Sequence, residues 1–113
     1  MHELSIAMSI VDICTEETEK AGAKKVTMVE LDIGSMSGVV IEALEFAWEA
    51  ATQNSVAEGS ELRIHSVDAR ARCPECAQEF DVENFYSPCP GCGAFGYEIF
   101  RGQELKVRAI TVD

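Results

Sequence analysis

Apolar residues recur at helical spacing almost from the first position. Leu4, Ala7, Met8, Val11 and Cys14 fall along one side of a helix predicted over residues 4–21. Ile6, Ile10 and Ile13 widen the apolar arc, and Ser5, Ser9, Asp12 and Glu16 leave only a narrow polar strip. So broad an arc predicts burial against a sheet and a second neighbour. Gly22 stands where such a helix should stop. The period then changes to two. In "KVTMVELDI", residues 25–33, Thr27, Val29, Leu31 and Ile33 point one way and Met28, Glu30 and Asp32 the other, the pattern of a half-buried strand. "GSMSG" reads as a turn, with Ser37 placed to cap a second helix over residues 39–51. After the loop "NSVAEGS", residues 61–69 and 103–112 alternate again and are predicted as strands. The expected fold class is α/β: a small mixed three-stranded sheet with two helices.

Several side chains take their first assignment from this pattern. Phe46 and Trp48 on the second helix are expected in the core, with partner contact as the second reading. Glu42, Glu45 and Glu49 recur at helical spacing and are expected to form a solvated face, with a partner-docking face as the second reading. His65 is expected as an ordinary strand residue.

Residues 70–101 differ in character, holding four of the five cysteines and all three prolines. "CPEC" (Cys73, Cys76) and "CPGC" (Cys89, Cys92) stand twelve residues apart. Each pair can fold as a knuckle with two thiolates turned inward, and two knuckles complete a tetrahedral site. The segment is therefore expected as a zinc-ribbon-like insert, which divides the chain into an α/β domain of residues 1–69 and 102–113 and a zinc-binding domain of residues 70–101. Four sulfur donors suit zinc or iron. A rubredoxin-like iron site fits less well, because Ala77 rather than glycine follows the first knuckle. With all four positions filled by protein, the metal's expected role is structural. Cys14 has no partner nearby and is expected as a small core residue.

Composition narrows the function classes. The 113-residue chain carries 20 acidic against 9 basic residues, a net charge of −11. Nucleic-acid phosphates are bound by clustered cations, so nucleic acid is not the expected partner. No apolar run is long enough to span a membrane, and the acidic start at Glu3 lacks a signal peptide's basic region. A cytoplasmic location is expected, where cysteines serve as ligands more often than as disulfides. No nucleophile–base pairing is present in the sequence, so an enzyme is not expected, and no G-x-x-x-x-G-K-[ST] loop occurs.

The amino terminus has its own chemistry. The α-amine of Met1, the backbone nitrogen of His2 and the His2 imidazole can close two chelate rings on a metal, with the backbone nitrogen or carboxylate of Glu3 as a further donor. Such a nitrogen-rich planar set suits Ni(II) or Cu(II) over zinc. On spacing alone a second reading stands beside it: an early histidine with no role, and Glu3 favouring a helix start through the dipole.

"MHELSI" at the start, "GSMSGV" before the second helix, the two cysteine pairs and the closing "GQELKV" occur in the order seen in the HypA/HybF nickel metallochaperones of [NiFe]-hydrogenase maturation, which the chain resembles over nearly its whole length. The resemblance implies Ni(II) bound by His2 with the Met1 α-amine and Glu3, and structural zinc on Cys73, Cys76, Cys89 and Cys92. It also implies delivery of nickel to the hydrogenase large-subunit precursor with a HypB-type GTPase as partner. A zinc-ribbon adaptor for protein or nucleic acid, without nickel chemistry, is the alternative.

Overall fold

The structure, a computed structural model, describes residues 2–84 and 86–113. In chain order the elements are α1 (Glu3–Lys20), β1 (Val26–Gly34), α2 (Ile41–Thr52), β2 (Glu61–Val67), β3 (Arg70–Arg72), β4 (Glu79–Asp81), β5 (Glu98–Arg101) and β6 (Leu105–Val112). Two three-stranded sheets form, ordered β2-β1-β6 and β4-β3-β5. The chain divides into two compact units. One comprises Met1–Leu31, Val39–His65 and Lys106–Asp113; the other comprises Asp32–Gly38 and Ser66–Leu105. The small mixed sheet, two helices and cysteine-bearing insert agree with the expected fold class.

In the first unit α1 and α2 pack on each other. α1 buries Ala7, Ile10, Cys14 and Thr18. This stripe is rotated from the expected one, since Leu4, Met8 and Ile13 are exposed. Small side chains at Ala7 and Cys14 allow close approach on the inner face. Thr18 joins them because its hydroxyl donates to the Cys14 carbonyl at 2.7 Å, so burial leaves no polar atom unsatisfied. The helix closes where Gly22 was expected to stop it, through bonds from the Gly22 N–H to Glu19 O and the Ala23 N–H to Thr18 O. Central strand β1 buries Val26, Val29 and Leu31. Thr27 lies exposed rather than inside, so the expected alternation begins only at Val29.

α2 departs from expectation twice. Trp48 is 5% exposed, with its indole N–H donating to Ser60 Oγ at 3.3 Å, but Phe46 is 86% exposed. The inward stripe is filled by Leu44, Ala47, Trp48 and Thr52, and Phe46 stands outside it. Ser37 does not cap the helix. Val40 occupies the N-cap position with no side-chain cap of its own, and the Glu3 carboxylate of α1 accepts the Val40 N–H at 3.2 Å. The neighbouring helix thus satisfies one of the N–H groups that a helix start leaves without a partner. On β2, His65 meets the Glu30 carboxylate of β1 at 2.8 Å.

The second unit is built on β3, which pairs antiparallel with both β4 and β5. Ala71 stands opposite Phe80 on one side and Ile99 on the other. Strands this short give no readable period, and the sequence pattern did not distinguish them. The "GSMSG" segment belongs to this unit, and Met36 enters its core beside Ala69, Ala71, Cys73, Phe80, Val82 and Cys89. Three backbones meet here at a distance no side chain tolerates. A Cβ added to Gly102, whose φ is +107, would lie 2.2 Å from the Ala69 Cα, and one on Gly34 would lie 2.0 Å from the Gly102 carbonyl oxygen.

Gly102→Ala should destabilise the protein by about 2–4 kcal/mol, combining left-handed strain with forced separation of the chain at Ala69. Urea unfolding of parent and variant measures it, and an unchanged midpoint would contradict the close approach.

Candidate metal centre

Each knuckle is a tight turn in which the second cysteine is followed by a residue of left-handed backbone. After Cys76 this residue is Ala77, with φ +61; after Cys92 it is Gly93, with φ +76. The bonding of the two turns is the same. The Ala77 N–H donates to Cys73 O at 2.7 Å and the Gly93 N–H to Cys89 O at 2.8 Å. The first cysteine of each pair then donates its own N–H across the turn, Cys73 to Gln78 O at 3.0 Å and Cys89 to Ala94 O at 2.8 Å. Ala77 reaches the conformation that glycine was expected to supply, so its identity does not discriminate iron from zinc.

These turns gather all four thiols. The sulfurs of Cys73, Cys76, Cys89 and Cys92 lie within 4.8 Å of one another, with Cys73–Cys92 at 3.5 Å and Cys76–Cys89 at 3.6 Å. A tetrahedron with metal–sulfur bonds of about 2.3 Å has sulfur–sulfur edges of about 3.8 Å, so the cluster has the size of a four-thiolate metal site. Among the described residues it is the group of ligating side chains that could hold an ion. Cys73 and Cys89 are buried while Cys76 and Cys92 are exposed, so each knuckle contributes one inner and one outer sulfur. Around the inner pair, Phe80 and Tyr97 meet edge to face at 5.0 Å, and the Tyr97 hydroxyl donates to the Ser87 carbonyl.

Three of these thiols are shifted, and not in the same direction. Burial pushes the Cys89 thiol up, but the N–H groups of Cys92 and Gly91 and the thiols of Cys76 and Cys73 favour its thiolate more, and its pKa falls to about 7. Cys92 goes the other way. The Ala94 N–H favours its thiolate, yet the Cys73, Cys89 and Cys76 sulfurs and burial together push it up to about 12. Cys76 is also raised, because its sulfur neighbours and burial outweigh the Gln78 N–H. Near neutrality the protein thus favours the thiolate at Cys89 over Cys76 and Cys92. A divalent cation would reverse this logic and draw the remaining protons off. Cys14, by contrast, lies buried in the first unit, where desolvation pushes its thiol up to about 11 and its own backbone N–H only partly offsets this. It is a core residue, as expected.

At the amino-terminal end, Met1 lies outside the described residues, so the expected α-amine donor has no described geometry. His2 is the N-cap residue of α1; it is exposed, and its side chain makes no capping bond. Its carbonyl accepts the first helical bond, from the Ile6 N–H at 2.9 Å. The backbone nitrogens of His2 and Glu3 precede any residue whose N–H has a helical acceptor. The Glu3 carboxylate is engaged with Val40, and that N–H, with Glu3's own N–H and the nearby His2, lowers its pKa against a small opposing effect of desolvation. Sequence reasoning missed this contact, which links positions far apart in the chain and has no periodic signature.

A family model described as "Hydrogenase/urease nickel incorporation, metallochaperone, hypA" matches residues 1–112. Curated relatives called "Hydrogenase maturation factor HypA" are 45% identical over 113 residues in Geotalea uraniireducens and in Chlorobaculum parvum, covering 100% of this chain and of each relative. In fold the chain is similar to the solution structure of the Ni metallochaperone HypA from Helicobacter pylori, with a TM-score of 0.69 at 24% identity over 99% of this chain and 97% of that one.

Two predictions test the cluster. Binding of Zn(II) should release about one proton more per ion near pH 6 than near pH 8, as Cys89 passes from thiolate to thiol. Affinity should therefore rise with pH, and calorimetry in buffers of different ionisation enthalpy reads the count. A constant count would contradict the low Cys89 pKa. Ala77→Gly should stabilise the zinc-loaded protein by up to about 1 kcal/mol and Gly93→Ala should destabilise it by about as much, since both positions hold left-handed backbone. Thermal melts of the two zinc-loaded variants should shift in opposite directions.

Proposed function

The chain belongs to the HypA family of nickel-incorporation metallochaperones that serve hydrogenase maturation, and on that premise we propose that it binds Ni(II) at its amino-terminal end and delivers it to the [NiFe]-hydrogenase large-subunit precursor. The ligands in this reading are the His2 imidazole and backbone nitrogen and the Met1 α-amine, with Glu3 completing the set through its backbone nitrogen. What carries it, beside the family match over residues 1–112, is the exposed His2 at the N-cap of α1. A metal can take the proton of the His2 amide without breaking a helical hydrogen bond, because that N–H has no helical acceptor. Such amide ligation favours Ni(II) over Zn(II). Glu3 in this reading holds the end of α1 against the start of α2 rather than giving its carboxylate to the ion, since the carboxylate already accepts the Val40 N–H.

The resident metal we assign to Cys73, Cys76, Cys89 and Cys92 is zinc. It would supply no catalysis, only cross-linking of the two knuckles, because no coordination position remains open. The family is one of maturation factors rather than catalytic enzymes, and we read this chain as a non-enzymatic carrier. Energy and direction for transfer then come from a separate HypB-type GTPase. Among the described residues no helix is long and apolar enough to cross a membrane, which suits a carrier working in the cytoplasm.

Nickel titrated into untagged, zinc-loaded protein at neutral pH should give one tight binding event, abolished in His2→Ala and by any residue fused ahead of Met1. Zinc content and the thermal melt should not change. Equal nickel binding in parent and His2→Ala would overturn the terminal site and leave the zinc-ribbon adaptor as the better reading.

A further inference from the structure

The outer face of α2 combines two features that a solvated helix does not need. Phe46 is 86% exposed, the side chain of an aromatic residue standing almost free of the protein. Beside it, Glu42, Glu45 and Glu49 form an exposed row on the same helix, and Ala43 and Ala50 continue the apolar strip on Phe46's other side. None of the three carboxylates takes part in an ion pair found among the described residues. α2 itself contains no basic residue.

The arrangement is unfavourable for the helix alone. Glu42–Glu45 and Glu45–Glu49 are like-charge neighbours at the spacings where side chains meet, and Glu49 sits near the negative end of the helix dipole. Cations brought to this row would relieve both effects, and an apolar surface brought with them would cover Phe46.

We propose that this face, Phe46 flanked by Glu42, Glu45 and Glu49, docks an amphipathic segment of another protein that carries lysine or arginine along one side. Charge complementarity selects this occupant. A second copy of the chain would bring a further net −11 against the same carboxylates, and an anionic lipid surface or nucleic acid would be repelled. Position gives the face a use. The N–H of Val40, the N-cap of α2, is held 3.2 Å from the Glu3 carboxylate, and Phe46 lies six residues further, about 9 Å along the helix axis. A segment seated on α2 is therefore held beside the start of α1.

The probe is a labelled synthetic amphipathic peptide with lysines on one side and leucines on the other, titrated with the full chain and followed by fluorescence anisotropy. Binding should weaken as salt is raised, and Phe46→Ala should weaken it about tenfold or more, as loss of an aromatic anchor does. The combined Glu42→Gln, Glu45→Gln, Glu49→Gln variant should lose binding to a similar extent. A control with the same net charge, Glu16→Gln, Glu19→Gln, Glu83→Gln, should lose less than about twofold. Circular dichroism of each variant confirms the fold, which an exposed side chain such as Phe46 does not support.

Equal losses in the control would reduce the effect to overall charge and overturn the proposal, as would undiminished binding by Phe46→Ala. Self-association, or binding to phosphatidylcholine or phosphatidylserine vesicles, that disappears in Phe46→Ala would also overturn it, assigning the face to a second copy or a membrane. The inference does not rest on the nickel reading. Phe46→Ala should bind nickel as the parent does and His2→Ala should bind the peptide as the parent does, so failure of one reading is distinguishable from failure of the other.

Discussion

Four sulfur atoms within 4.8 Å of one another are the constraint on which the second unit depends. The apolar cluster of that unit and its ligand cluster share members: among the described residues Cys73 and Cys89 are buried in it beside Met36, Ala69, Ala71, Phe80 and Val82. A sheet with two three-residue strands and one of four cannot bury enough side chain to hold itself by the hydrophobic effect alone. The inner sulfurs therefore do two things at once. They fill the middle of a small core, and they aim the cluster that a metal would cross-link. The outer sulfurs, Cys76 and Cys92, are set by the hydrogen-bonded turns on either side.

The first unit solves a different problem, that of a helix start without a cap. Val40 lacks a side chain able to accept a hydrogen bond, so α2 takes its acceptor from Glu3, a residue of α1. The arrangement joins two N-termini whose dipoles both favour a carboxylate. Since the Glu3 pKa is lowered in the folded protein, the contribution is present above the ordinary carboxylate range and is lost as pH falls through the folded value. Tying the ends of two helices to one side chain limits how far residues 2 and 3 can move.

Legibility in the sequence followed the physics of each feature. α1, α2 and the three long strands announced themselves through period, and the CxxC pairs through spacing, because in both cases the signal is local. Phe46 and Trp48 were not separable by pattern: both are aromatic and two residues apart, and only the packing of Leu44 and Ala47 decides which one faces inward. The pattern likewise places Leu4 and Met8 inside and Thr18 outside, because hydropathy does not see the Thr18 bond to Cys14. The short strands β3 to β5 and the meeting of Gly34, Gly102 and Ala69 are products of tertiary contact and have no local cause.

The path of the chain through the two units bears on how the molecule is made. β6 lies in the first unit's sheet beside β1, and Thr27 donates to the Thr111 carbonyl across a separation of 84 residues. The second unit comes between them in the chain, so its four cysteines leave the ribosome before β6 does. Closing the first sheet is thus a late event of high contact order, and the cysteine unit acts as the hairpin that shortens the loop to be closed. A nascent chain that gathers its sulfurs early shortens that loop before β6 emerges. One that does not must search for the β1–β6 pairing across the whole span, with the edge of β1 open to other chains meanwhile.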